Sequence, residues 1–179
     1  MRQYSQRLFR VARSILNDDA DAENALQDAY VQACRKLGGG LRGQAELSTW
    51  LTRIVITEAL RRVRQHRRDQ NVVPTGERSA DSPDLDVGLM IERRIDQMPA
   101  VFRTVFVMRN IEGMPAREAA DCLGISESTV RTRLFRARAL LRDTLERDGV
   151  DAARGRVFGF DDACCDRIIA AVLARLSAA

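Results

Sequence analysis

The feature that most constrains this chain is a glycine set between two helical patterns, within residues 115–142 (PAREAADCLGISESTVRTRLFRARALLR). Ala120 is small enough to let two helices approach closely. Gly124 follows four residues later and suits the positive φ at a helix end. Val130 follows six residues further, where a β-branched side chain can pack back on the first helix. With Ser126 as a favourable N-cap for the second helix, this spacing predicts a helix-turn-helix.

The second helix of this motif carries a strong positive charge. Between Ser126 and Arg142 it holds one acid, Glu127, and five arginines at positions 131, 133, 136, 138 and 142. An apolar seam of Val130, Leu134, Ala137 and Leu141 leaves the arginines on the outer face. A solvated helix in an ordinary bundle would also be charged. Here, however, the positive charge falls on the second helix of a predicted helix-turn-helix. Together they favour binding in the major groove of DNA.

The composition is consistent with a polyanionic partner, and it argues against a membrane-inserted, disulfide-bonded or metal-binding protein. The 179 residues carry a net charge of +4. Met1 is followed by a polar segment, and no apolar run approaches the roughly 20 residues needed to span a bilayer. We therefore expect no membrane insertion and a cytoplasmic location. The four cysteines lack CxxC spacing and there is a single histidine, so we expect reduced thiols, no metal and no cofactor.

The hydrophobic periodicity predicts an all-α chain of two small domains. The first domain, residues 1–69, has three helices: one with Leu8, Ala12 and Ile15 on a single face, a second from about Asp21 to Leu37, and a third from about Leu47 to Arg68. Residues 70–87 hold two prolines and many small polar residues, which predicts a flexible linker. The second domain, residues 88–148, has four short helices ending in the helix-turn-helix. Residues 149–179 form an extension with an amphipathic helix.

This arrangement resembles the extracytoplasmic-function (ECF) sigma factors of bacterial RNA polymerase, over nearly the whole chain to about Leu145. DADAENALQDAYVQACRKL (19–37) is similar to the family's polymerase-binding helix. LRGQAELSTWLTRIVITEALRRVR (41–64) is similar to its −10 element segment, and residues 98–142 to its −35-binding domain. The resemblance implies sigma region 2 in the first domain and sigma region 4 in the second.

The resemblance implies that an acidic face on the second helix docks on RNA polymerase core. The partner surfaces would be the coiled coil of the largest subunit and, for the second domain, the beta flap. The residues assigned to core polymerase binding are Asp21, Glu23, Gln27 and Asp28. By itself, this pattern is also typical of a solvated acidic face with a favourable helix dipole.

The resemblance also implies recognition and melting of the −10 element by the third helix and the loop before it. Polar side chains can hydrogen-bond a base held outside the duplex, and arginines can hold the backbone. Trp50 either stacks on a base or belongs to the core at the helix start. The residues assigned to the −10 element are Arg42, Gln44, Ser48, Trp50, Arg53, Thr57, Arg61 and Arg64.

The recognition helix of the second domain is expected to read the −35 element. Arg131 and Arg136 are assigned to guanine, because a guanidinium matches the O6 and N7 acceptors. Phosphate contacts, which position without specifying, are assigned to Ser128, Thr129 and Arg133, and Thr132 also faces the DNA. Phe135 either contacts a thymine methyl or packs.

The function expected from these patterns is promoter-specific transcription initiation by a sigma factor, on double-stranded and then melted promoter DNA. An anti-sigma factor is an implied partner. The alternative is a free-standing helix-turn-helix regulator that acts without replacing a sigma factor. Enzymatic activity is not expected, because His66 lies in an arginine run and Gly38-Gly39-Gly40 lacks the context of a phosphate-binding loop.

The extension raises two further alternatives. Its amphipathic helix carries an apolar stripe that needs a surface to cover. Either this helix packs back on the second domain, or it acts as a latch over a polymerase- or DNA-binding surface. The stripe consists of Cys165, Ile168, Ile169, Val172, Leu173 and Leu176.

Overall fold

A computed structural model describes residues 2–36, 44–69, 87–148 and 162–177. These residues form helices without any strand, which confirms the predicted all-α class. Residues 70–86 of the predicted linker and the glycine run at 38–40 lie outside the described residues, and Val87, predicted as the last linker residue, begins α4. The helices are α1 (Arg2–Leu16), α2 (Asp19–Lys36), α3 (Gln44–Asp69), α4 (Val87–Asp96), α5 (Ala100–Phe106), a π-helical segment (Val107–Ile111), α6 (Ala116–Leu123), α7 (Glu127–Asp148) and α8 (Asp162–Ser177).

The chain divides into two compact units. The first joins Met1–Pro74 with Phe160–Ala179, and the second is Thr75–Gly159. The first unit is therefore discontinuous in sequence, because α8 belongs with α1, α2 and α3. Of the two alternatives for the extension, packing back on the second domain is therefore wrong.

The core of the first unit is built from side chains of α1, α2 and α3, to which α8 adds Ile168 and Val172. Leu8 and Ala12 of α1 are buried, as the predicted helical face requires. Alanines dominate the buried face of α2, which lets the neighbouring helices approach its backbone. Leu51 and Val55 of α3 complete the cluster. A hydrogen bond of 3.0 Å between the hydroxyls of Ser5 and Tyr30 satisfies the polar atoms buried among them.

The turn between α1 and α2 is held by a buried arginine. Arg13 is 2% exposed, and its Nε donates to Asp19 Oδ1 at 2.6 Å. Its Nη1 donates to Oδ1 of Asn17, which has a positive φ of 59°. The backbone N–H of Asp21 donates to Asp18 Oδ1 at 2.8 Å, a side-chain cap of the helix start. These contacts start α2 two residues before the predicted Asp21.

The second unit is packed around α4, α5 and α7. The predicted apolar face of α4 is buried at Ile91 and Ile95. Arg103 of α5 is 5% exposed and its Nη1 donates to the carbonyl of Asp96 at 2.6 Å, which satisfies an acceptor at the end of α4. The π-helical segment then carries the chain from α5 to the turn before α6, and buries Met108.

Among the described residues, no helix combines the length and the apolar character needed to cross a bilayer.

Candidate nucleic-acid and protein interfaces

The helix-turn-helix of the second unit has the geometry that its sequence predicts. Gly124 ends α6 in the left-handed region, with φ 65° and ψ 35°. The backbone N–H of Thr129 donates to Ser126 Oγ at 3.2 Å, so Ser126 caps the start of α7. Ala120 is 4% exposed and Val130 is fully buried. The two helices therefore meet through the residues whose spacing indicated the motif.

The outer face of α7 presents the predicted −35 residues together. Arg131 is 71% exposed, and its Nη2 donates to Glu127 Oε2 at 2.8 Å. Phe135 is 75% exposed, so the alternative that it packs in the core is not supported. The other members of this face are exposed or half-buried: Ser128, Thr129, Thr132, Arg133 and Arg136.

Five of these residues also line an open groove of about 410 Å³ between α5 and α7. Val101 and Phe102 of α5 form its opposite wall, and Val101 is 49% exposed. In this groove, the apolar side chains of Val101 and Phe102 lie opposite the hydroxyl and guanidinium groups of α7. We call the exposed side of α7 with this groove the recognition face.

Arg138 is one of the α7 arginines that the sequence analysis did not assign to a DNA contact. Its Nη2 donates to Asn110 Oδ1 at 2.8 Å, so it ties α7 to the π-helical segment. This contact was not predictable from the local sequence, because 28 residues separate the two partners. Arg138 therefore connects α7 to the segment before α6.

On α3 the structure brings four of the predicted −10 residues into one exposed row. Arg53, Thr57, Arg61 and Arg64 are all exposed and follow one another at helical spacing. The hydroxyl of Thr57 donates to the carbonyl of Arg53 at 2.8 Å. The pKa of Arg61 is raised, chiefly by its hydrogen bond to Glu58. We call these four residues the α3 arginine row.

The remaining −10 residues do not join this row. Ser48 is 8% exposed and its Oγ accepts a hydrogen bond of 3.1 Å from Arg7, so it connects α3 to α1 instead of facing DNA. Trp50 is half-buried and packs against the core of the first unit, which favours the packing alternative. Arg42 and the side chain of Gln44 lie outside the described residues. Helix α3 begins at Gln44, three residues before its predicted start at Leu47.

Three acidic residues of α2 contact basic side chains within the first unit. Asp21 Oδ2 lies 3.4 Å from His66 Nδ1. Glu23 Oε1 lies 2.6 Å from Arg167 Nη2, and Asp28 Oδ1 lies 2.6 Å from Arg175 Nη1. Sequence reasoning missed both tail arginines, because it could not place α8 against α2. Gln27, the fourth residue assigned to polymerase, is half-buried.

Asp28 is the most strongly paired member of this acidic face. Besides Arg175, its carboxylate accepts a hydrogen bond from Arg62 and lies 3.8 Å from Arg61. Partial burial acts to raise the pKa of Asp28, but the hydrogen bonds from Arg175 and Arg62 outweigh it and the pKa is lowered. The carboxylate is therefore held in its charged form.

Within the part of the chain that the structure describes, no group of three His, Cys, Asp or Glu side chains could hold a metal ion. The recognition face and the α3 arginine row present exposed basic side chains, which suit binding to a polyanion. The acidic face of α2 suits a basic protein surface.

Comparison with known proteins agrees with this division. Residues 1–69 match the family Sigma-70 region 2, and residues 88–141 match Sigma-70, region 4. The ECF RNA polymerase sigma factor SigM of Mycobacterium tuberculosis is 32% identical over 145 residues, which cover 78% of this chain and 72% of that protein. The RNA polymerase sigma-E factor of Streptomyces avermitilis is 30% identical over 154 residues, covering 81% and 82%.

Two solved structures are similar in fold. The sigma factor RpoE from Bartonella quintana, in complex with the anti-sigma factor NepR, aligns with a TM-score of 0.67 at 22% identity, covering 82% of this chain and 94% of that chain. CnrH, in complex with the cytosolic domain of CnrY, aligns with a TM-score of 0.57 at 27% identity, covering 82% and 85%. With both regions matched, the chain belongs to the ECF subfamily of sigma-70 RNA polymerase sigma factors, which are transcription initiation factors and not enzymes.

Proposed function

We propose that this sigma factor divides promoter recognition between its two units, with the recognition face of α7 reading the −35 element and the α3 arginine row holding the −10 element. The observation that carries the proposal is the presence of two exposed basic faces in two separate units. A free-standing regulator with one helix-turn-helix needs a single DNA-binding face.

At the −35 element, the guanidinium groups of Arg131 and Arg136 are exposed, and Arg131 would exchange its surface ion pair with Glu127 for a base in the major groove. A bidentate arginine–guanine contact discriminates against the wrong base by about 1–3 kcal/mol. Phe135, which is mostly exposed, offers an apolar surface to a thymine methyl group. Ser128, Thr129 and Arg133 lie at the start of α7 and along the groove, where phosphate contacts fix the register.

At the −10 element, the spacing of the α3 arginine row suits a phosphate backbone better than base edges. Positive charge along one helix face holds a strand electrostatically while the duplex opens. The acidic face of α2 (Asp21, Glu23, Gln27 and Asp28) is proposed to bind the coiled coil of the largest polymerase subunit. The beta flap is the proposed polymerase contact of the second unit.

An anti-sigma factor is a further proposed partner. One of the two similar structures is a sigma factor in complex with the anti-sigma factor NepR, and the other is CnrH in complex with the cytosolic domain of CnrY. Because the proposed partners are polymerase and promoter DNA, we place the chain in the cytoplasm.

The test is in vitro transcription with purified core polymerase and the full chain on a pool of host promoter fragments. Start-site-specific transcripts would support the proposal and give both promoter elements. Two variants then separate the units: Arg131→Ala in α7 and Arg53→Ala in α3, with Arg93→Ala on the exposed side of α4 as the control.

Templates with the −10 region already unpaired should restore transcription by Arg53→Ala but leave Arg131→Ala defective. The control should match the wild-type chain on both templates. DNA binding by the isolated chain without any transcript would overturn the proposal in favour of a regulator.

A further inference from the structure

Helix α8 lies on the same helix that carries the proposed polymerase-binding residues. Ile168 and Val172 are fully buried and belong to one cluster with Ala22 and Leu26 of α2, and Leu176 packs partly against it. Leu173, which the sequence placed in this stripe, is instead 55% exposed and faces away. The buried side of α8 is therefore narrower than predicted and is directed at the first unit.

Two ion pairs flank this apolar contact. Arg167 meets Glu23 and Arg175 meets Asp28, each at 2.6 Å. The acids are the more covered partners, with side chains 21% and 16% exposed, while the arginines are 59% and 48% exposed. The two arginines lie eight residues apart, about 12 Å along the helix. Pairing at both points fixes the register of α8 along α2.

Glu23 and Asp28 are two of the four residues assigned to core polymerase. The partner expected there is a basic helical surface, and α8 already supplies apolar side chains with an arginine on either side. A second helix cannot occupy the same side chains of α2 while α8 remains in place.

We propose that α8 is an internal competitor for the polymerase-docking face of α2, so that α8 and core polymerase bind this face in a mutually exclusive manner. The inference rests on the proposed function of the α2 acids. It makes the extension a regulator of assembly, since polymerase binding then requires α8 to leave. A merely structural α8 would stay docked in the polymerase complex.

The apparent affinity of a protein for its partner is reduced by the fraction of molecules in the competent state. If α8 is docked in more than about nine-tenths of the molecules, releasing it should lower the apparent Kd for core polymerase at least about tenfold. The full chain is used throughout, because α8 belongs to the first unit.

The experiment compares Val172→Glu with Leu173→Glu. Both place a carboxylate on α8, but Val172 is fully buried and Leu173 is 55% exposed. A carboxylate cannot be buried unpaired at the Val172 position, so this variant should undock α8. The double variant Arg167→Glu, Arg175→Glu weakens the same contact by charge repulsion and leaves the apolar side chains intact.

Two measurements are made on each chain: the Kd for core polymerase, and hydrogen exchange of the α8 amides with and without polymerase. Exchange in α1, α2 and α3 shows whether the first unit is still folded. Should Val172→Glu unfold it, the double arginine variant takes its place.

We expect about tenfold tighter polymerase binding by the undocked variants, wild-type binding by Leu173→Glu, and loss of α8 protection when the wild-type chain binds polymerase. Equal affinities for all folded chains, or α8 protection that persists in the complex, would overturn the competition. Absence of polymerase binding by every chain would instead overturn the proposed function of the α2 acids, and the competition with it.

Discussion

The turn of the helix-turn-helix offers a quantitative test of how backbone conformation contributes to stability. At Gly124 the free-energy cost of a positive φ can be measured without a steric clash. Gly124 has φ 65°, and a Cβ built on it meets no atom within 4 Å. Gly124→Ala should therefore carry no clash. A non-glycine residue in the left-handed region costs about 1–2 kcal/mol. The lower entropy of the unfolded alanine chain returns about 0.4–1 kcal/mol.

The net expectation is a loss of about 1 kcal/mol in the free energy of unfolding of the second unit, roughly a fivefold change in the folded-to-unfolded ratio. Gly113 is the matched control, since it has the same φ of 65° and the same open space around a Cβ. Gly113→Ala should lose the same amount. Gly124→Asn should lose less than either, because asparagine tolerates the left-handed region.

Native-state hydrogen exchange of the buried amides of α6 and α7 is the suitable assay. Trp50, the chain's single tryptophan, lies in the first unit, so its fluorescence does not report on this change. A loss above about 3 kcal/mol for Gly124→Ala would refute the reasoning, since that magnitude belongs to a clash or a lost core contact. Clearly unequal losses at the two glycines would refute it as well.

Three further predictions follow from burial and charge. Val130→Ala should destabilise the second unit by about 2 kcal/mol in the same exchange assay, because Val130 is fully buried. Phe135→Ala should change the stability by less than about 0.5 kcal/mol, but it should weaken binding to a −35 duplex. Arg133→Ala should reduce the slope of log K against log salt for −35 binding by about 1, as expected for one lost phosphate contact; an unchanged slope would contradict that role. Asp28 has a lowered pKa in the folded chain. Its carboxylate therefore stabilises the fold at pH values above its pKa in the unfolded chain, which is about 4. This stabilisation is lost as the pH falls through the pKa of Asp28 in the folded chain. Urea unfolding followed by Trp50 fluorescence should show this loss, and Asp28→Asn should flatten it.

Local patterns accounted for most of the fold. The positions of Ala120, Gly124 and Val130 fix a motif within eleven residues, and their burial and φ values agree with the prediction. Such features depend on neighbours in sequence, which is why a single chain suffices to find them.

Contacts between distant residues were not predictable in the same way. Ser48 reads as a polar residue at a helix start, but its hydroxyl is bound to Arg7, 41 residues away. The position of α8 depends on Arg167 and Glu23, separated by 144 residues. Periodicity showed that α8 needs a partner, but it carries no information on which surface supplies it. It also placed Leu173 in the buried stripe, although its side chain is 55% exposed.

The discontinuity of the first unit has a consequence for synthesis on the ribosome. Domains generally fold as they emerge, with the N-terminal part first. Helices α1, α2 and α3 leave the ribosome before the second unit, whereas Ile168 and Val172 of their shared cluster are made after it. Until α8 has been synthesised, the nascent chain carries the acidic face of α2 without α8 over it. A growing chain of this protein is therefore open to partners that the finished molecule must first uncover.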